Sequence, residues 1–145
     1  MSIKVIIDTN VLVAGLIGGK DPNREILRYC FKGTLQPYVG NALYLEYQDL
    51  LSRDNIQTLC NKTSGTLTEF LDDFASICKP AEAWFLWRPN LKDEADNHIV
   101  ELAVAANAEY IVTNNITDFA QAELQQVGHY VITPPELLTI LRQKQ

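Results

Sequence analysis

The stretch Ile3-Lys4-Val5-Ile6-Ile7-Asp8-Thr9-Asn10, near the N-terminus of the chain, decides the fold. Its apolar, β-branched residues predict a buried strand over residues 3 to 7. A carboxylate, a hydroxyl and an amide follow at once, so the strand delivers oxygen ligands to the rim of a parallel sheet. That rim is where open α/β folds bind ligands and carry out chemistry.

The rest of the chain alternates between apolar runs and helical spacing, which is typical of an α/β protein. Further strands are predicted at residues 35 to 39, 110 to 113 and 130 to 132, with an edge strand at 83 to 87. Helices are predicted at residues 11 to 17, 23 to 32, 42 to 51, 56 to 60, 66 to 78, 94 to 107 and 119 to 126, and from Pro134-Pro135 onward. These elements predict a single three-layer α/β domain over residues 1 to 145, with a central, mostly parallel sheet of four or five strands.

Composition limits the function classes. With 145 residues and 47% hydrophobic content, the chain fits one compact domain with a proper core. No apolar stretch approaches the roughly 18 residues of a membrane span, and no cleavable apolar segment opens the chain, so we expect a cytoplasmic protein without a membrane partner. The net charge of −6 argues against binding nucleic acid by phosphate neutralisation alone. Such a role requires a local basic patch or bound cations.

Acidic side chains recur where strands end and helices begin. Asp8 closes the first strand, and Glu46 lies in the helix after the second. Asp93 and Asp96 flank the start of the helix at 94, and Asp118 follows the strand at 110. Hard cations such as Mg²⁺ take several oxygen ligands from separate elements, so these carboxylates are candidates for one crevice. Two ions there would clamp a scissile phosphate and activate water.

Each acid also has a structural interpretation. Asp93 and Asp96 suit a capping box or the start of a helix dipole, and Asp118 suits an N-cap. Glu46 suits a solvated helix face. Asp8 is the hardest to explain in this way, because a carboxylate directly after a buried strand must be paired, hydrogen-bonded or bound to a metal.

The basic residues Arg24, Arg28 and Lys32 lie four residues apart and therefore share one face of their helix. They form either a phosphate-binding stripe beside the acidic crevice or a solvated face partly paired with neighbouring acids. His98 is expected to pack near the buried helix rather than bind a metal. The glycines after residue 14 do not form a P-loop, because Asp21 and not Ser or Thr follows the lysine.

Four blocks of sequence together resemble a PIN domain, the small nuclease fold that includes VapC-type toxins of toxin–antitoxin systems. They span nearly the whole chain in family order. The blocks are Ile6-Ile7-Asp8-Thr9-Asn10-Val11-Leu12, Glu46, Asp93-Glu94-Ala95-Asp96 leading into Ile99-Val100-Glu101-Leu102-Ala103, and Tyr110-Ile111-Val112-Thr113-Asn114-Asn115 with Asp118-Phe119.

The resemblance implies a metal-dependent ribonuclease that holds Mg²⁺ or Mn²⁺ through Asp8, Glu46 and Asp96. Asp93 is implied as an accessory acid. The family often has a fourth acid where this chain has Asn115, and an amide there carries no charge. Asp118 is the substitute if its loop turns inward.

The resemblance also implies endonucleolytic cutting of RNA, inhibition by a cognate antitoxin protein and formation of a homodimer. Thr9, Asn10 and Thr113 are expected to lie at the substrate site, with Arg24 and Arg28 guiding the RNA. No protein nucleophile is required, because the metal activates water.

Two alternatives remain open from the sequence. A non-enzymatic RNA-binding or protein-interaction module of the same fold would keep Asp8 as a hydrogen-bonding residue, and Asn115 favours it. A response-regulator receiver also places acids after its first strand. It ranks third because neither its phosphorylatable Asp after the third strand nor its Lys after the fifth is evident.

Overall fold

The computed structural model of the protein describes residues 2–18, 21–81, 97–119, 124 and 128–143. Within these ranges a five-stranded, all-parallel sheet is flanked by helices, which confirms the predicted α/β class. The strands are β1 (Ile3–Ile7), β2 (Leu35–Val39), β3 (Lys79–Pro80), β4 (Tyr110–Val112) and β5 (Tyr130–Ile132). The helices are α1 (Thr9–Ile17), α2 (Pro22–Lys32), α3 (Asn41–Leu51), α4 (Asp54–Cys60), α5 (Ser64–Ile77), α6 (Asn97–Ala106) and α7 (Pro134–Gln143), with a 3₁₀ turn at Ile116–Asp118.

The strand order β3-β2-β1-β4-β5 places β1 at the centre of the sheet. Val5, Ile6 and Ile7 are fully buried, as expected for a strand that is covered on both faces. The chain moves outward from β1 through β2 to β3 and then returns to the other side of β1 as β4. The sheet therefore reverses its direction of growth between β1 and β4, and this is where α/β folds place their sites.

Local sequence explains where the first helices begin and end. Asp8 caps α1 by accepting a hydrogen bond from the amide of Thr9. Asp21 caps α2 in the same way through Asn23, and Gly33 ends α2 in the left-handed region at φ 88°. Glycine is favoured there because residues with a Cβ rarely adopt this backbone conformation without strain. The turn returns the chain directly into β2.

Two helices position the residues at the end of β1. Tyr47 of α3 is buried, and its hydroxyl donates a 2.5 Å hydrogen bond to the carbonyl oxygen of Ile7. This bond fixes α3 over the end of β1. Helix α6 packs on β1, β2 and β4, and its residues Ile99 and Val100 are fully buried. The prediction of a central, buried helix from its apolar composition is confirmed.

Several predicted elements lie outside the described residues. These include the edge strand at 83 to 87, the first part of the helix at 94 and most of the helix at 119 to 126. The described edge strand beyond β2 is β3, which sequence patterning does not predict. It has two residues, too few to show any period, and Pro80 suits a sheet edge because proline cannot donate to a further strand. No helix within the described ranges has the length and apolar character needed to cross a membrane.

Candidate functional site

The Asp8 carboxylate lies at the carboxyl end of β1 and is only 7% exposed. Its Oδ1 atom accepts a 2.7 Å hydrogen bond from the amide of Thr9. Its Oδ2 atom accepts hydrogen bonds from Thr113 Oγ1 at 2.8 Å and from Asn10 Nδ2 at 3.3 Å. The backbone amide of Asp8 donates to the carbonyl oxygen of Val112 at 3.0 Å, which continues the pairing between β1 and β4. The groups that donate to the side chain are all neutral.

Burial raises the pKa of the Asp8 carboxyl above its usual value, because the charged form is removed from water. The hydrogen bonds from Thr113 and Thr9 lower this pKa without cancelling the effect of burial, and the negative charge of Glu46 raises it further. Ionised Asp8 is therefore held in place by hydrogen bonds but is not fully compensated for its lost hydration.

Glu46 brings a second carboxylate to the same place from α3. Its Oε1 atom lies 3.3 Å from Thr9 Oγ1, and the same hydroxyl lies 3.4 Å from Asp8 Oδ1. The Glu46 side chain remains 39% exposed, so it lies between the buried Asp8 and solvent. The Thr9 hydroxyl thus bridges the two acids that the sequence predicts as metal ligands.

His98 of α6 completes the surroundings of Glu46. Its Nε2 atom lies 2.7 Å from Glu46 Oε2, while its side chain is 25% exposed. The sequence prediction placed His98 near the buried helix but did not connect it with the acids. The sequence signal that could have connected His98 with the acids is its position, two residues after Asp96 in the third family block.

Thr113 joins the ends of β1 and β4. Its side chain is fully buried, and its Oγ1 atom accepts hydrogen bonds from Asn10 Nδ2 at 3.2 Å and from the amide of Asn115 at 3.1 Å. The same oxygen donates to Asp8. One hydroxyl therefore connects the acid to the loop after β4, where Asn115 is exposed.

A second asparagine of that loop was missed by the sequence analysis. The backbone amide of Asn114 donates to Asn10 Oδ1 at 3.1 Å, and its side-chain amide donates to Asn23 Oδ1 at 2.9 Å. These bonds connect β4, α1 and α2 along the rim of the site. Adjacent amide residues after the strand were the only sequence signal, and they did not identify Asn23 as the partner.

The two arginines predicted to guide RNA have partners within the chain. Arg24 Nε donates to the carbonyl oxygen of Gly15 at 3.0 Å, and Arg28 forms a 3.0 Å ion pair with Glu25. Arg28 remains exposed. Their contact with a substrate stays a prediction.

Three of the predicted acids are not placed with the others. Asp93 and Asp96 lie outside the described residues, and Asp118 ends the 3₁₀ turn with a side chain that also lies outside the description. Among the residues that the structure describes, no group of three or more His, Cys, Asp or Glu side chains is arranged to hold a metal ion. Asp8 and Glu46 are thus the predicted acids that the structure brings together.

The chemistry of this pair fits a hard divalent cation. The ion pairs that lysine and arginine form in the described part of the chain involve neither Asp8 nor Glu46. Two carboxylates that share a hydroxyl, without a lysine or arginine between them, concentrate negative charge in a partly buried space. Oxygen ligands of this kind are those that Mg²⁺ and Mn²⁺ prefer. The fold and the position of these acids define the class: an α/β protein with a parallel sheet and an acidic site at the carboxyl end of its central strand.

Comparison with known proteins narrows the class to a family. The model of the PIN domain family matches residues 4–117, and the chain belongs to this family. PIN domains are generally nucleases and usually use divalent metals. No curated protein matches the chain. One similar solved structure is a crystal structure of VapBC2 from Rickettsia felis bound to a DNA fragment from its promoter. The match has a TM-score of 0.58 and 19% identity and covers 90% of this chain and 98% of that chain, so it shows a shared fold.

Proposed function

We propose that the protein is a metal-dependent endoribonuclease that hydrolyses RNA phosphodiester bonds. The observation that carries this proposal is the position of Thr9 Oγ1, 3.4 Å from Asp8 Oδ1 and 3.3 Å from Glu46 Oε1. Two carboxylates that approach one hydroxyl face a common space, where like charges repel unless a cation lies between them. Membership of a family of nucleases supports the same assignment.

In this proposal Asp8, Glu46 and Asp96 hold Mg²⁺ or Mn²⁺. The bound ion supplies an activated water and stabilises the charge that develops on the phosphate. Thr113 and Asn10 donate to Asp8 Oδ2 and hold it in place, and the single hydroxyl proton of Thr9 is within reach of the facing oxygens of Asp8 and Glu46. Because the net charge of the chain is −6, RNA needs local positive charge at the site, and a bound cation provides it.

The test compares Asp8→Asn with Asp73→Asn, which makes the same change at an exposed position of α5. Mn²⁺ binding is measured by calorimetry, and cleavage is measured on a mixed RNA pool with Mg²⁺ or Mn²⁺. We expect the wild type and Asp73→Asn to bind the metal and cut RNA, and Asp8→Asn to lose both. A wild type that binds no Mn²⁺ and leaves RNA intact would overturn the proposal. Full activity in Asp96→Asn would overturn the assignment of Asp96 as a ligand.

We further propose that the protein is the toxin of a toxin–antitoxin pair, forms a homodimer and acts in the cytoplasm. The support for the toxin role is the fold shared with VapBC2 over most of both chains. Co-expression with the product of the adjacent gene tests the partner. A stable complex that no longer cuts RNA is expected, and free, active protein in that experiment would count against it. Light scattering of the isolated protein tests the dimer, and a monomer mass would reject it.

Asn115 favours a second candidate, a PIN-fold module that binds RNA or a protein without cutting RNA. Its side chain is an uncharged amide where the resemblance leads us to expect a fourth acid, and it is exposed in the loop after β4. RNA binding in EDTA, with intact RNA after addition of Mn²⁺, would favour this module over the nuclease.

A further inference from the structure

We propose that His98 is a positioning residue that holds the Glu46 carboxylate in the orientation needed to bind a divalent cation. The inference rests on the metal site proposed at Asp8 and Glu46. The contact that carries it joins His98 Nε2 to Glu46 Oε2 at 2.7 Å, the distance of a strong hydrogen bond to a charged group. It connects α3 to α6, the helix that follows Asp96 in the chain.

The backbone of His98 is well anchored for this role. The next two residues, Ile99 and Val100, are fully buried in the core, so the start of α6 cannot shift without disturbing packing. Glu46, in contrast, is a long side chain with 39% exposure, which by itself would sample several rotamers. A hydrogen bond from a fixed ring to a mobile carboxylate therefore orders the carboxylate.

Both oxygens of Glu46 have a donor in this arrangement. His98 occupies Oε2, while Thr9 Oγ1 lies 3.3 Å from Oε1. Because the two donors lie on different elements, they restrict rotation of the carboxylate group. Glu46 Oε1 is then the oxygen that faces Asp8, because Thr9 Oγ1 lies close to both Oε1 and Asp8 Oδ1. Hydrogen bonds of this kind to metal ligands orient them and strengthen binding.

The same geometry indicates that His98 acts through Glu46 and does not bind the ion itself. An ionised carboxylate only accepts hydrogen bonds, so the Nε2 atom that contacts Glu46 carries the proton and has no lone pair to offer. The other ring nitrogen, Nδ1, is buried and has no hydrogen-bond partner among the described residues. Neither nitrogen is available to an ion as the ring is placed.

The experiment measures Mn²⁺ affinity by calorimetry in the wild type and in three variants, His98→Ala, His98→Asn and His98→Gln. Glutamine places its amide nitrogen near the position of Nε2 and can donate to Glu46, whereas asparagine is too short. We expect affinity to fall roughly 10- to 100-fold in the alanine and asparagine variants and to recover largely in the glutamine variant. Thermal unfolding in EDTA confirms which variants are folded. If His98→Ala does not fold, the comparison of His98→Asn with His98→Gln tests the inference.

A second arm repeats His98→Ala in a Glu46→Gln background. If His98 acts through Glu46, the two losses are not additive, and His98→Ala has little further effect there. Unchanged affinity in folded His98→Asn, or an equal loss in both backgrounds, would overturn the positioning role while leaving the metal site intact. Directly bonded nitrogen in the electron spin echo spectrum of bound Mn²⁺ would instead make His98 a ligand and reject the inference. A wild type that binds no Mn²⁺ would overturn the metal site and this inference together.

Discussion

Replacement of Thr113 by valine tests the hydrogen-bond network around Asp8 most directly. The two side chains have nearly the same shape, and Thr113 is fully buried, so the change removes a hydroxyl without opening a cavity. That hydroxyl donates to Asp8 Oδ2 at 2.8 Å and accepts from Asn10 and from the amide of Asn115. Valine leaves the buried carboxylate without its shortest side-chain donor.

We expect Thr113→Val to lower the free energy of unfolding by about 2–3 kcal/mol at neutral pH. A hydrogen bond to a charged group is worth about 1.5–3 kcal/mol, and its loss here leaves a buried acceptor short of a donor. The donors Asn10 and Asn115 add little, because both lie partly or fully exposed and can bond to water instead. Urea unfolding followed by circular dichroism measures the difference.

The loss should depend on pH in a direction that the structure fixes. The Thr113 hydrogen bond lowers the Asp8 pKa, so its removal raises further a pKa that burial already holds above its ordinary value. For an acid whose folded pKa is raised, the folded state binds more protons, and stability falls as pH rises from the unfolded pKa to the folded one. Because Thr113→Val raises the folded pKa of Asp8, this pH interval reaches to a higher pH in the variant than in the wild type. The free energy of unfolding that Thr113→Val loses relative to the wild type is therefore smallest below the pKa of Asp8 in the unfolded state. It is largest above the folded-state pKa values of Asp8 in both proteins.

Thr113→Ser is the matched control, because it keeps the hydroxyl and removes only a buried methyl group. It should be destabilised by about 1 kcal/mol with no added pH dependence. A deficit in Thr113→Val that is equal at acidic and neutral pH would refute the reasoning, since it would show that the hydroxyl does not interact with an ionised Asp8.

Three further changes test the surroundings of the site. Tyr47→Phe removes the donor to the buried carbonyl oxygen of Ile7, and should lower the free energy of unfolding by about 1–2 kcal/mol in urea titrations. Gly15→Ala would place a Cβ 2.6 Å from Cδ1 of the buried Leu27 and 3.3 Å from the backbone of Asn23, and should cost about 1 kcal/mol after the gain in helix propensity, seen as a lower melting temperature. Asn115→Asp adds a negative charge beside the Asp8 network, and should tighten Mn²⁺ binding by about five-fold, or about 1 kcal/mol, in calorimetry. Unchanged stability in the first two, or unchanged affinity in the third, would contradict these assignments.

The elements with strong local signals are those that the sequence predicts best. The limits of β1 agree residue for residue, because the apolar run ends at Ile7, directly before Asp8, and its last three residues are buried. Helix α7 begins at Pro134, where the proline pair indicates a first turn. Helix α2 ends before Gly33, the residue with the left-handed backbone. Each of these signals lies within a few residues of the boundary that it determines.

The contacts of the site join residues that lie far apart along the chain, so no local sequence pattern predicts them. Asp8 and Thr113 are 105 residues apart and meet only because β1 and β4 are neighbours in the sheet. Glu46 and His98 are 52 residues apart and meet where α3 approaches α6. The family resemblance supplies the pairing of acids across elements. It does not supply His98, whose role depends on the orientation of one side chain.

The proposed metal accounts for the chemistry of Asp8 better than a structural role as a helix cap does. Asparagine caps a helix N-terminus about as well as aspartate, and it would not carry a charge that burial disfavours. Asp8 instead places an ionisable group with a raised pKa beside the negative charge of Glu46, with neutral donors as its only side-chain partners in the described part of the chain. A bound cation would relieve both the desolvation and the repulsion, and by binding only the folded state it would stabilise the fold. The proposed metal and the stability of the apo protein are therefore coupled through the same carboxylate.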